Sequence, residues 1–190
     1  MSKQALTDES RVYVACLGCY NEGTLRGTHM TAEQLSDAWG EGLASSVCSE
    51  PNHDEWAIHD YDGDIARCGL GEHPDIEGLI ALMETIDSDP ATMVAAFLLV
   101  DDLVGDIPTA EQVESVAERM GVIEAHKIDD WAYDDAYDMG YGGHLDALPH
   151  DITCQIDWEQ VGKNRLRDEM YTTEHKGVIY ALCHYEEVDA

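Results

Sequence analysis

The sequence is short of positive charge. Its 190 residues hold 10 Lys and Arg against 40 Asp and Glu, a formal net charge of −30 with His neutral. Recognition of nucleic acid depends on clustered Lys and Arg that neutralise phosphates, so a nucleic-acid binder of the ordinary kind is excluded. An anionic membrane leaflet would repel the same surface. Long apolar runs are missing as well. The longest, Ala91–Val100 (ATMVAAFLLV), is half of what a bilayer span needs. No apolar stretch follows the opening MSKQALTDES, so no signal peptide is expected, and the expected compartment is the cytoplasm. The chain shows no internal repeat and no low-complexity tract.

What is present argues for a folded protein. High net charge with low hydrophobicity is the signature of disorder. Here 44% of residues are hydrophobic, with four Trp and nine Tyr, so burial can offset chain entropy. The length suits one ordinary domain or two to three small ones. The six cysteines are even in number, but a cytoplasmic chain of this size does not need them as staples. Reduced, mostly buried thiols are expected.

Residue patterning predicts an α+β fold with a helical middle between two mixed ends. Arg11–Leu17 (RVYVACL) reads as a strand, Tyr20–Gly23 as a turn and Thr24–Met30 as a returning strand. Thr31 and Gln34 form a capping-box pattern that opens a helix with Leu35, Ala38 and Trp39 on its apolar stripe. Trp56–Tyr61 reads as a strand. Helices are expected at Asp75–Ile86, Ala91–Leu103 and Thr109–Met120, with Pro90 starting the second and a Thr109–Gln112 capping box opening the third. A fourth is expected over Val122–Met139. Ile152–Ile156 reads as a strand, Trp158–Met170 as a helix and Gly177–His184 as a closing strand. The corresponding domains are 1–70, 71–120 and 121–190.

The acids are unevenly placed. No Lys or Arg lies between Arg67 and Arg119, a gap holding twelve acids, and Ile128–Gly162 is a second cation-free stretch with nine more. On the Thr109–Met120 helix Glu111, Glu114 and Glu118 fall in one sector of about 60°, opposite Val113, Val116, Ala117 and Met120. Asp130, Asp134 and Asp138 form an i, i+4, i+8 row on the next helix. Like charges so spaced cost about 0.2–0.5 kcal/mol a pair, and mixed charges would give a solvated face without that cost. A plain acidic surface is one reading, and a surface shaped like a polyanion is the other. B-DNA carries one charge per about 1.7 Å of axis, so thirty charges correspond to about 15 base pairs.

The run Val12–Gly23 (VYVACLGCYNEG) resembles the opening strand and turn of the ArdA antirestriction family, and the likeness continues at Leu25-Arg26-Gly27. The block Glu55–Gly63 (EWAIHDYDG) is similar to a second family block, and Ile156–Glu159 with Gly177–Tyr180 resembles the closing segment. Cys16, Cys19, Cys48, Cys68 and the stretch Tyr137–His150 depart from the family pattern. The resemblance implies an elongated, curved chain of three small domains, encoded mostly on mobile elements. It also implies a homodimeric mimic of duplex DNA that occupies the DNA-binding groove of type I restriction-modification enzymes. The expected partner-binding carboxylates are Asp101, Asp102, Asp106, Glu111, Glu114, Glu118, Asp129, Asp130, Asp134, Asp135 and Asp138.

Other chemistry has weaker support. Cys16-x-x-Cys19 invites a zinc or redox reading, but a zinc ribbon needs a second pair, and Cys48 and Cys68 stand alone in sequence. Asp60-x-Asp62-x-Asp64 starts like a calcium loop, yet Ile65 and Gly71 occupy the positions that require Gly and an acid. His53 and His59 with Asp54 and Asp60 lack any nucleophile or phosphate-loop motif. Trp131, Tyr133, Tyr137 and Tyr141 read as core and dimer seam, or as aromatic anchors for a partner. No catalytic site, cofactor or metal is expected. The competing classes are an acidic protein adapted to high salt and a weak cation-binding domain.

Overall fold

The computed structural model describes residues 9–102 and 107–183. The fold is α+β, with 56% helix and 20% strand among the described residues. It divides into two compact units, the first ending at Glu118 and the second starting at Arg119. Among the described residues, no helix is long and apolar enough to cross a membrane.

The first unit is built on a three-stranded antiparallel sheet. Its strands are β1 (Arg11–Cys16), β2 (Gly27–Met30) and β3 (Trp56–Asp62), with β1 central. Val12 pairs with Met30 on one side, and Cys16 with Trp56 on the other. A five-residue helix, α1 (Leu17–Asn21), follows β1 where a simple turn was expected. After β2 come α2 (Ala32–Glu41) and α3 (Leu43–Val47). The Thr31–Gln34 capping box forms as the sequence predicts, with Thr31 N–H donating to Gln34 Oε1 at 3.1 Å.

A 3₁₀ segment, Gly63–Cys68, leads from β3 to the helical part: α4 (Ile76–Ser88), α5 (Pro90–Asp102) and α6 (Ala110–Glu118). Asp75 caps α4, Pro90 opens α5, and Thr109 and Gln112 close the second capping box. Leu79, Leu82, Met83 and Ile86 of α4 are fully buried, as are Met93, Val94 and Leu99 of α5 and Val113 and Val116 of α6. Each such side chain contributes about 1.5–3 kcal/mol by leaving water. Ser10 fastens the sheet to α4, because its N–H and hydroxyl both donate to the Asp87 carboxylate, the hydroxyl at 2.6 Å. Partial burial raises the pKa of that carboxyl group.

The second unit has its own antiparallel sheet, ordered β4 (Gly121–Glu124), β6 (Val178–Cys183), β5 (Met170–His175). Its helices are α7 (Ile128–Asp138), α8 (Gly142–Asp146), α9 (His150–Thr153) and α10 (Trp158–Glu169). Three expectations change here. The helix expected from Val122 begins only at Ile128, because Gly121–Glu124 pairs with β6 and alternates, with Ile123 buried and Val122 exposed. Ile152–Ile156 is not a strand. Pro149 starts a local turn, and Thr153 and Cys154 donate back to the carbonyls of Pro149 and His150. Met170–His175, of which only Met170 falls within an expected element, the end of the Trp158–Met170 helix, is a strand joined to β6 through Lys176 and Gly177. Both turn residues have positive φ, as the type I′ turn of a two-residue hairpin requires.

Ile123, Leu166, Met170, Ile179 and Ala181 form the second core, with Ile128 and Trp131 packed against it. The close approach of α7 and α10 depends on Gly162. A Cβ there would lie 2.5 Å from Ile128 Cγ2, 3.0 Å from the Ile128 carbonyl and 3.1 Å from Ala132 Cβ. Gly162→Ala gains about 1 kcal/mol of helix propensity, but overpacking of this kind costs about 1–3 kcal/mol. The clash involves backbone, so the variant should unfold at lower urea than the parent chain. Gly143→Ala, in α8 where an added Cβ meets nothing within 4 Å, should keep the propensity gain and hold the midpoint at or slightly above the parent value. A Gly162→Ala midpoint at or above the parent value would show that the two helices are not held at this distance.

Candidate functional site

The acidic rows take shape on two helices. On α6 Val113 and Val116 are buried while Glu111, Glu114 and Glu118 are exposed. On α7 Ala132 is buried, and Asp129, Asp130, Asp134 and Asp138 are exposed. Residues four apart on a helix rise about 6 Å along the axis, so each row is a line of carboxylates at near-regular intervals. Among the described residues none of Asp130, Asp134 and Asp138 has a cationic partner. Asp135 differs. It is half-buried and accepts from Arg165 Nε at 2.8 Å, and Arg165 also pairs with Glu169. Asp101 and Asp102 end α5, their side chains outside the described set, and Asp106 lies outside the described residues.

The aromatic residues beside the α7 row divide into two kinds. Trp131 packs on the second core. Tyr133 sits against Tyr137 at 4.8 Å and edge-on to Trp158 at 5.3 Å between ring centroids. The Tyr137 hydroxyl donates to Asp146 at 2.7 Å. Tyr133 and Tyr141 remain substantially exposed next to the carboxylates.

A second grouping is not visible in the linear sequence. Cys16, Cys19, Cys48 and His53 converge, with one ligand-type atom from each lying within 4.8 Å of all the others. Cys16 ends β1, and α1 curls back so that the Cys19 N–H donates to Cys16 Sγ at 3.4 Å. Cys48 follows α3, and its Sγ lies 3.6 Å from Cys19 Sγ. His53 Nδ1 stands 3.7 Å from Cys16 Sγ, 3.3 Å from Cys19 Sγ and 3.7 Å from Cys48 Sγ. Burial, reinforced by its sulfur neighbours, pushes the Cys19 thiol up to about 12. The Glu50 N–H bonded to Cys48 sulfur lowers that thiol to about 6, and Cys48 in turn raises the His53 pKa.

The other candidates do not assemble. Asp60 and Asp62 are exposed whereas Asp64 is buried, so the aspartates of the calcium-like run do not share an environment. His59 packs edge-on to Tyr20 at 5.0 Å, while His53 faces the cysteines. Cys68 is buried apart from the cluster and Cys154 is exposed.

Acidic helix faces on an α+β scaffold fit a class of proteins that act by binding. Residues 12–180 match the antirestriction proteins, an inhibitor family directed at restriction-modification enzymes. The chain belongs to the ArdA family. A search of the curated proteins finds no match.

The α7 row carries a stability cost that can be measured. Asp130 lies in the first turn, where the helix dipole favours a carboxylate, and Asp138 in the last turn, where it does not. Asp138→Asn should therefore raise thermal stability by up to about 0.5 kcal/mol, whereas Asp130→Asn should be neutral or slightly destabilising. Equal effects of the two changes in thermal melts at low salt would show that dipole and row repulsion do not govern this helix.

Proposed function

We propose that this chain is an antirestriction protein acting as a mimic of duplex DNA. In this reading it occupies the DNA-binding groove of a type I restriction-modification enzyme, works as a homodimer in the cytoplasm and catalyses no reaction. The observation that supports it most is the family match together with exposed carboxylate rows lacking cationic partners among the described residues. A groove lined with Lys and Arg for phosphates would meet a similar density of negative charge here, at intervals of about 4.5–6 Å along each helix. Residues 1–70, 71–120 and 121–190 are the three proposed domains, and the last two carry the expected partner-binding carboxylates. Tyr133 and Tyr141 supply apolar contact beside the α7 row.

Competition between this protein and duplex DNA for a type I methyltransferase core tests the reading. Displacement of DNA at about 0.1 M salt, weakening as salt rises, is expected from charge-steered association. Triple replacement of Asp130, Asp134 and Asp138 by Asn should leave the fold intact and reduce inhibition by about tenfold or more, each lost interfacial charge contact being worth on the order of 1 kcal/mol. Absence of displacement by the folded protein would overturn the mimic reading. Undiminished inhibition by the triple variant would place the partner surface elsewhere.

A further inference from the structure

We propose that Cys16, Cys19, Cys48 and His53 form a structural zinc site, independent of the acidic surfaces and of the inhibitory role. A tetrahedral centre with Zn–S of about 2.3 Å and Zn–N of about 2.0–2.1 Å has S···S edges of about 3.8 Å and S···N edges of about 3.6 Å. The Cys19–Cys48 sulfur separation is 3.6 Å, and His53 Nδ1 stands 3.3–3.7 Å from the three sulfurs. Hydrophobic packing does not require three sulfurs and an imidazole nitrogen to converge on one point. Coordination of one ion does.

The spacing matches as well. Two residues separate Cys16 from Cys19, and four separate Cys48 from His53, both within the ranges that zinc ligands use. The surroundings suit thiolate ligation. The Cys19 N–H donates to Cys16 Sγ at 3.4 Å and the Glu50 N–H to Cys48 Sγ at 3.5 Å. Arg26 reaches Cys48 Sγ at 3.6 Å, which offsets the single negative charge left when three thiolates and a neutral imidazole bind a dication. On the far side of the ring, Glu22 Oε1 lies 3.4 Å from His53 Nε2. A carboxylate there fixes the tautomer that leaves Nδ1 free for a metal. Gly18 lets the imidazole lie against the backbone between the first two cysteines, since a Cβ at that position would stand 2.7 Å from His53 Cγ.

Four protein ligands and a largely buried position mark a structural site rather than a catalytic one, which would keep a coordination place open. Soft thiolates with one imidazole favour zinc over calcium or magnesium. A recess of about 300 Å³ lined by Cys19, Glu22, Arg26, Glu50 and His53 gives the ion a way in. Binding releases the thiol protons to solvent. The ion would clamp the end of β1, the turn of α1 and the loop between α3 and β3, the segments that bracket the central strand.

The full chain, purified without chelator and without a histidine tag, should carry one zinc per chain by elemental analysis. With the zinc removed, cobalt added to the same chain should give the intense ligand-field and sulfur charge-transfer bands of a tetrahedral thiolate site. Cys19→Ser and Cys48→Ser should lose the metal, Cys68→Ser and Cys154→Ser should keep it, and His53→Cys should keep it with an altered cobalt spectrum. Glu22→Gln should weaken zinc binding by about 10-fold or more in chelator competition. The cobalt spectrum of the parent chain decides the matter even where a cysteine variant fails to fold. Metal-free protein with an octahedral cobalt spectrum would overturn the site. So would zinc content unchanged by Cys19→Ser, or a mass lower by two hydrogens with Cys19 and Cys48 joined as a disulfide.

Discussion

A net charge of −30 on 190 residues pushes the chain apart at every distance shorter than the screening length, about 8 Å at physiological salt. Folding proceeds only if burial of apolar surface outweighs that repulsion, and only if the carboxylates stay in water. Both conditions shape the molecule. Helices α4, α5 and α6 turn aliphatic side chains inward, and the acids of α6 occupy the opposite face. Among the described residues Asp64 is the one fully buried carboxylate. The half-buried Asp135 and Asp87 are held by Arg165 and by Ser10.

The same constraint separates two kinds of acid. Asp135, bonded to Arg165 between α7 and α10, is part of the packing of the second unit. Asp130, Asp134 and Asp138 on the same helix make no such contact among the described residues, and their mutual repulsion is offset by the helix dipole only at Asp130. The proposed function turns this row, which takes no part in packing, toward a partner of opposite charge. The family to which the chain belongs interacts with restriction-modification enzymes, and the proposed function assigns the row to that contact.

The thiol cluster follows a different logic. Three cysteines and a histidine far apart in charge character from the acidic rows meet where β1, α1 and the loop before β3 come together. Linear reading treats Cys48 as solitary because its partners lie 29 and 32 positions upstream. The strand composition of Arg11–Leu17 runs straight through Cys16 and gives no sign of α1, the turn of helix that brings Cys19 back to it. Once α1 curls the chain, the Cys19 N–H meets the Cys16 sulfur and the pair faces Cys48 and His53.

Local patterns with a local cause were legible. The two capping boxes, Pro90 at the start of α5, the strand composition of β1 and β3 and the acid rows of α6 and α7 all depend on residues within a turn or two of one another. The α+β class and the family were readable for the same reason, being carried by short blocks such as Val12–Gly23 and Glu55–Gly63. Elements that depend on a distant partner were not. Gly121–Glu124 is a strand because Val178–Cys183 lies beside it, Met170–His175 is one because the Lys176–Gly177 turn folds it onto that strand, and Ile152–Ile156 fails to be one because its backbone bonds are made locally. Sequence alone determined the charge, its placement on helix faces and the family. Tertiary structure decided which carboxylates are spent on packing and which cysteines meet, because both depend on long-range contacts that no spacing rule encodes.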